Sequence, residues 1–235
     1  MKKHPSLVAC RHGESWANKL GDGPWIGDDP IKHKMLMDLE DFEVPLTDLG
    51  IEQAEKLGKF LRKNFGTPDV VIDSGYKRAM QTREFALRSG YSQKDIGRMI
   101  IRTDDRFRER ECGTLRKVGK SSREALPFYD QDQKDWGSNP YQNRPLNGES
   151  IADMVPRTRQ GILELVELYR GKVVFIFCHG HTLHSLQVPM EGLNLEQSNQ
   201  MIRDGWVKNC TIHFYKGKKT GWKKMKQFDP LEEKK

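Results

Sequence analysis

Residues 7–15 read LVACRHGES and residues 172–184 read KVVFIFCHGHTLH, two apolar runs that each stop at a histidine followed by glycine. Burying a charged guanidinium without a partner costs several kcal/mol, so the end of a run that stops at Arg11 has to face an anion or water. DVVID and RMIIR are two further short apolar runs, and long amphipathic stretches separate all four. That alternation predicts strands of a mostly parallel sheet with helices on both faces, a three-layer α/β/α architecture. In such a sheet ligands sit beyond the carboxyl ends of the strands. Parallel neighbours would place His12 and His179 at the same edge.

Between the runs the pattern is readable in pieces. In PLTDLGIEQAEKLGKFLRKNFG, Thr47 is a candidate N-cap, Ala54, Leu57, Phe60, Leu61 and Phe65 recur at helical spacing, and Gly66 closes the helix. DSGYKRAMQT then brings Ser74 and Arg78 to the strand edge at the start of a second helix, with Ser74 read as a cap. Ser150 caps a helix running to Tyr169, in which Pro156 is expected to make a kink. Gly180 permits a tight turn into the helix after HG, and CTIHFYKGKKTGWKKMKQF reads as a closing antiparallel hairpin turning at Gly217–Gly221. The whole chain, 1–235, is expected to form one domain with lid-like insertions at about 19–44 and 104–149, both rich in Gly, Pro and polar residues.

Forty Lys and Arg against 33 Asp and Glu leave a net charge of +7, much of it in KGKKTGWKKMK. A basic surface attracts phosphate-bearing partners of any size, but no aromatic-rich nucleic-acid signature accompanies the lysines, and the run reads as a solvated hairpin. No nucleic acid and no membrane is expected as a partner: MKKHPS is followed by too few apolar residues for a signal peptide, and no run approaches the ~18 that span a bilayer. Cys10, Cys112, Cys178 and Cys210 show no CxxC spacing and read as reduced thiols in a cytoplasmic protein. Cys10 and Cys178 precede the two strand-end histidines, which admits a redox switch beside the simpler reading of core packing. No heptad demands a second copy, and the oligomeric state stays open.

Two arginines and two histidines converging at helix N-termini form a pocket for a dianion, and phosphate suits the guanidinium fork. In order along the chain stand RHGES followed by Asn18, PLTDLG at 45–50, SGYKRAMQT at 74–82, RERECG at 108–113, NGES at 147–150 and CHGHTL at 178–183. This series resembles the histidine phosphatase superfamily, the phosphoglycerate mutase-like proteins. The resemblance implies that His12 takes the phosphoryl group as a phosphohistidine while Arg11, Arg78 and His179 hold its oxygens. It places the proton donor on Glu109, with Glu111 as a rival, and phosphate contact on Asn18, which otherwise caps a turn. Gly180 and His181 would line the pocket.

Attack on phosphorus needs a neutral imidazole, and the charges of Arg11 and Arg78 are expected to lower the His12 pKa. Glu109 must carry a proton to donate it, and Glu111 or partial burial is expected to raise its pKa. A cationic cradle supplies what phosphoryl transfer asks, so neither metal nor cofactor is implied. The spacing of His179, His181 and His184 suggests zinc ligation as an alternative, but nearby arginines would repel a divalent ion.

The implied activity is metal-independent hydrolysis of a small phosphorylated metabolite. Mutases of the family follow the acid with a tyrosine and a glutamine-glycine turn, where this chain has Cys112 and Arg116-Lys117. Lys120 stands at the mutase distance, yet KDWGSNPYQNR holds no adjacent arginine pair. A cofactor-dependent phosphoglycerate mutase and a catalytically silent phospho-ligand-binding module remain the alternatives. Lys32, Lys34, Arg116, Lys117, Lys120 and Arg123 hint at a polyanionic or sugar-phosphate substrate.

Overall fold

The computed structural model describes residues 3–20, 39–113, 126–205 and 207–232. In chain order these form β1 (Ser6–Arg11), α1 (Trp16–Leu20), α2 (Asp48–Phe65), β2 (Val70–Asp73), α3 (Lys77–Gly90), α4 (Gln93–Ile96), β3 (Ile100–Thr103), α5 (Leu126–Ser138), α6 (Ile151–Leu168), β4 (Val173–Cys178), α7 (Gly180–Glu191), α8 (Leu195–Asp204), β5 (Ile212–Gly217) and β6 (Trp222–Phe228). Short 3-10 turns lie at Asp41–Glu43 and Asp105–Phe107. The six strands make one sheet in the order β3-β2-β4-β1-β5-β6. The first four are parallel, β5 runs antiparallel to its neighbour β1, and β6 runs antiparallel to β5.

The α/β reading therefore holds, with KVVFIFC central, because β4 is covered on both faces and every second residue goes to a different layer. Val174, Ile176 and Cys178 pack with Ile162 and Leu165 of α6 and Leu183 and Leu186 of α7. Phe175 and Phe177 pack with Leu57 and Leu61 of α2 and Ala86 and Leu87 of α3 on the opposite side. Cys10 belongs to the second layer and Cys178 to the first, so the two thiols lie on opposite faces of the sheet. Burial pushes both thiols upward in pKa, which is the behaviour of packing residues.

Local signals explain the ends of the helices. Thr47 accepts from the Gly50 N–H at 3.0 Å, and Gly66 closes α2 with φ +72. Ser150 and Asp153 form a reciprocal capping box on α6. That helix continues through Pro156 to Leu168. The 104–149 insertion contains one helix the sequence reading missed, α5, whose apolar residues form no regular stripe and whose Pro127 is tolerated in the first turn. The lysine hairpin is solvated as expected: Lys223 through Gln227 of the edge strand β6 are exposed, and charge on such an edge discourages pairing with another sheet. The 19–44 insertion is described only at its ends, and Lys32, Lys34, Arg116, Lys117, Lys120 and Arg123 lie outside the described residues.

Two histidines behind the site are buried without taking charge. His184 on α7 is pushed down to about 3 by burial, with His181 and His213 adding to it, and His213 on β5 to about 4 by burial and Lys224. Below the ordinary value of 6.5 the unfolded chain gains protons that these folded rings refuse. Their contribution is complete above that value and is lost as the pH falls from it towards about 4. Chemical denaturation between pH 7 and 4.5 is expected to lose up to about 5 kcal/mol from this pair. His213→Leu should flatten that slope, and an equally steep slope in the variant would contradict the assignment.

Candidate active site

Strand register brings the two histidines together. Arg11 pairs with Cys178 across β1 and β4, and the His12 N–H donates to the Cys178 carbonyl at 3.0 Å, so each chain leaves the sheet at the same level. The rings of His12 and His179 meet edge to face with centroids 5.1 Å apart. The loop after His12 is pressed against the start of α2: a Cβ on Gly13 would run into the Gly50 carbonyl, and one on Gly50 into the Glu14 carbonyl. That close approach is what the glycines of RHG and PLTDLG allow. Thr82 of α3 accepts from the Gly13 N–H at 3.0 Å, and Glu14 bonds Thr47 at 2.7 Å, so Glu14 serves the framework. Gly180 has no such need, since a Cβ there meets only Arg11 atoms at 3.8 Å and beyond in ordinary contact.

One ring nitrogen of His12 is committed and the other faces the pocket. Nδ1 lies 2.6 Å from the Gly13 carbonyl, which can only accept, so Nδ1 carries the proton and Nε2 keeps its lone pair. Nε2 accepts from Arg78 Nε at 3.3 Å. The His12 pKa lies well below the ordinary histidine value, and burial is the largest cause, with Arg78, His179 and Arg11 adding to it. The arginines act in the expected direction, and burial, which the sequence reading did not weigh, acts more strongly: a ring 2 % exposed is already reluctant to charge. Arg11 is buried, and its Nη1 donates to the Val207 carbonyl.

His179 caps nothing and instead is held by Ser74, whose hydroxyl lies 2.7 Å from its Nε2. The reading of Ser74 as a helix cap is thus wrong: the N-cap of α3 is Tyr76, and Ser74 sits beside the histidine because β2 is the neighbour of β4. The His179 pKa is lowered by burial first and then by Arg78. Its Nδ1 is buried and has no hydrogen-bond partner.

Glu109 lies beside the first turn of α7, with His181 Nδ1 3.2 Å from its Oε1 and the Arg110 N–H donating to the same oxygen at 2.9 Å. Burial works to raise its pKa, but His181, then His179 and the Arg110 N–H, outweigh it and hold the carboxyl well below the usual range. The expectation of a raised pKa fails because Glu109 faces imidazoles and not Glu111. The rival, Glu111, is half exposed and reaches Tyr76 OH at 3.3 Å and Arg108 at 3.7 Å. Arg157 of α6 fixes the backbone of this stretch, donating to the carbonyls of Arg106, Arg108 and Glu109 at 2.8–3.2 Å while paired to Glu149.

Asn18 uses its Oδ1 to accept from the Ser15 N–H at 3.3 Å and from Asn209 Nδ2 at 3.1 Å, which makes its amide nitrogen the donating end. It also closes the turn with Ser15, its own N–H donating to the Ser15 hydroxyl at 3.3 Å, as the turn-capping reading expects. Asn209 was missed by sequence reasoning. It follows no motif, and it reaches the site because β5 lies beside β1, donating to the His12 carbonyl at 3.0 Å. His179 Nε2 and His181 Nδ1 are engaged with different partners, and among the described residues no three His, Cys, Asp or Glu side chains are grouped to hold a metal ion.

The result is an unprotonated imidazole nitrogen beside a guanidinium, with a second imidazole and a carboxyl close by, an arrangement fit for an anion and for nucleophilic attack upon it. Solved structures of similar fold include a mycobacterial glucosyl-3-phosphoglycerate phosphatase, with TM-score 0.68, 20 % identity and coverage of 94 % of this chain and 97 % of that one. A phosphoserine phosphatase from Entamoeba histolytica aligns with TM-score 0.69 at 18 % identity, covering 97 % and 98 %. In sequence, a 2,3-bisphosphoglycerate-dependent phosphoglycerate mutase of Rhizobium etli is 28 % identical over 195 residues, covering 82 % of this chain and 83 % of its own. A phosphoglycerate mutase of Schizosaccharomyces pombe is 27 % identical over 203 residues, covering 81 % and 82 %. With the strand-end histidines at one sheet edge and a sequence model of branch 1 of the histidine phosphatase superfamily matching residues 7–229, the chain belongs to that superfamily.

Proposed function

We propose that this protein is a metal-independent phosphomonoesterase that works through a phosphohistidine on His12 and acts on a small phosphorylated metabolite. The observation that carries the proposal is the fixed tautomer of His12, whose Nδ1–H is spent on Gly13 while Nε2 keeps a lone pair towards which Arg78 Nε donates at 3.3 Å. Nε2 attacks phosphorus and forms the P–N bond as the P–O bond to the alcohol breaks. Glu109 gives its proton to the departing oxygen. Glu109 then takes a proton from water, the water oxygen attacks phosphorus, the P–N bond breaks, and phosphate leaves with His12 neutral again.

Glu109 starts this sequence low in pKa, and the arriving dianion reverses that. A second negative charge beside the carboxyl favours its protonated form, and the His181 ring 3.2 Å away holds the carboxyl in position. Arg11, Arg78 and His179 surround the transferred group, Asn18 donates to it through its amide nitrogen, and Gly180 and His181 line the pocket at the start of α7. Guanidinium groups supply the charge compensation that other phosphatases take from divalent ions. One domain carries all of this in a reducing, cytoplasmic setting, a reading supported by the buried, unpaired thiols of Cys10, Cys178 and Cys210.

Mutase activity is the second reading, and the names of the curated relatives favour it. Against it, the one arginine of KDWGSNPYQNR, Arg144, is paired with Asp153 on the flank of α6. Assays with p-nitrophenyl phosphate and with 3-phosphoglycerate, each with excess chelator, separate the readings. Hydrolysis that chelator leaves intact, with no faster interconversion when bisphosphoglycerate is added, is the expected result. Interconversion outpacing hydrolysis would establish the mutase, and phosphate binding without turnover would establish a silent module.

A further inference from the structure

The Asp41–Glu43 turn places a carboxylate on the pocket's central arginine. Arg78 Nη1 donates to the Asp41 carbonyl at 2.7 Å and to Asp41 Oδ1 at 2.9 Å, and Nη2 lies 3.5 Å from Oδ2. With Nε on His12, all three nitrogens of the guanidinium are engaged. The pair is shielded from water, the side chains being 5 % and 16 % exposed. Neither the family motifs nor the mechanism above uses Asp41.

From this contact we infer that Asp41 is an internal stand-in for the substrate phosphate, an affinity-determining residue that competes for the Arg78 fork. The inference rests on the phosphate-binding reading of the pocket. A phosphoryl group needs the same fork edge, and a dianion beside an unmoved carboxylate meets a like charge in a poorly screened place. Binding of phosphate and the full Asp41 contact therefore exclude each other. Exchange of one anion for the other also draws Arg78 off His12 Nε2. Arg78 thus covers the nucleophile while it is paired with Asp41, and the anion to be attacked draws it away.

The side chain is held in place by more than its charge, since the Glu40–Glu43 capping box orders the turn that carries it. Asp41→Asn keeps shape and one acceptor but removes the negative charge. Titration calorimetry with inorganic phosphate and inhibition of p-nitrophenyl phosphate hydrolysis by phosphate give two readings of the same affinity. Asp41→Asn is expected to tighten phosphate and lower the KM by about five- to tenfold, as removal of an occluded state does. A brace whose loss merely disorders Arg78 would move both the other way. Glu43→Gln, on the same turn and bonded to the Glu40 N–H at 3.0 Å, controls for general surface charge and is expected to change neither.

Unchanged or weakened phosphate affinity in folded Asp41→Asn overturns the inference, as does equal tightening in Glu43→Gln. Tightening in the calorimeter upholds it even if the wild-type protein fails to turn over, in which case only the hydrolytic reading falls. A wild type that binds no phosphate removes both.

Discussion

His12→Asn is expected to lower the rate of phosphate release from p-nitrophenyl phosphate by about four orders of magnitude or more, with the fold retained. The substitution is chosen because an asparagine amide can still donate to the Gly13 carbonyl, as Nδ1 does at 2.6 Å, while nothing replaces the Nε2 lone pair. What remains is a cationic pocket that binds phosphate and orients it without a nucleophile. Phosphate binding measured by calorimetry should therefore survive in the variant within a few-fold, and the thermal midpoint should show that His179 and Arg78 still pack. Loss of binding together with rate would mean that the variant damaged the cradle, and a rate within tenfold of wild type would remove His12 from the chemistry.

Glu109→Gln is the second large effect, and its size is expected to depend on the leaving group. An alkyl phosphate departs as a strongly basic alkoxide and needs the proton, so a loss of about 10²–10⁴ in kcat is expected there. p-Nitrophenolate leaves without help, and the first step should be nearly spared. The second step still lacks its base, so the variant should show a rapid burst of nitrophenolate equal to the enzyme present and then slow turnover. The pH profile carries the same information. Wild-type kcat falls on the alkaline side as the enzyme–substrate complex loses this proton, and that limb should vanish in the variant, which has no proton there to lose. On the acid side, the lowered His12 pKa keeps the nucleophile neutral well below the ordinary histidine value, so activity is lost only when the pH falls that far. Equal losses for aryl and alkyl substrates without a burst would move the acid role elsewhere, with half-exposed Glu111 the first alternative.

The strand ends were legible because burial and charge conflict there. LVAC and KVVFIFC leave no doubt about their strands, and the residues that interrupt them, Arg11, His12 and His179, are where a fold of this class opens to ligand. Arg78 was legible from the strand-to-helix turn at DSGYKRAMQT, and Glu109 only through motif order. The environment of Glu109 was not, because adjacency in sequence pointed to Glu111 whereas adjacency in space supplies His181 and His179 from the start of α7. Ser74, Asn209, Arg157 and Asp41 share that fate: each contacts the site through pairing or packing between segments distant in sequence. No local pattern encodes that a serine after β2 meets the residue after β4. The helix α5 escaped for a different reason, since LPFYDQDQKDWGS has no stripe for a periodic reading to find.

The central claim is a covalent one, and chemical trapping tests it most directly. Enzyme mixed with ³²P-labelled substrate and quenched in alkali, which preserves phosphohistidine, is expected to carry label that acid removes. Peptide mapping should place it on His12, in amounts increased by Glu109→Gln and abolished by His12→Asn. Product accumulating while no label is ever found on residue 12 would contradict the account.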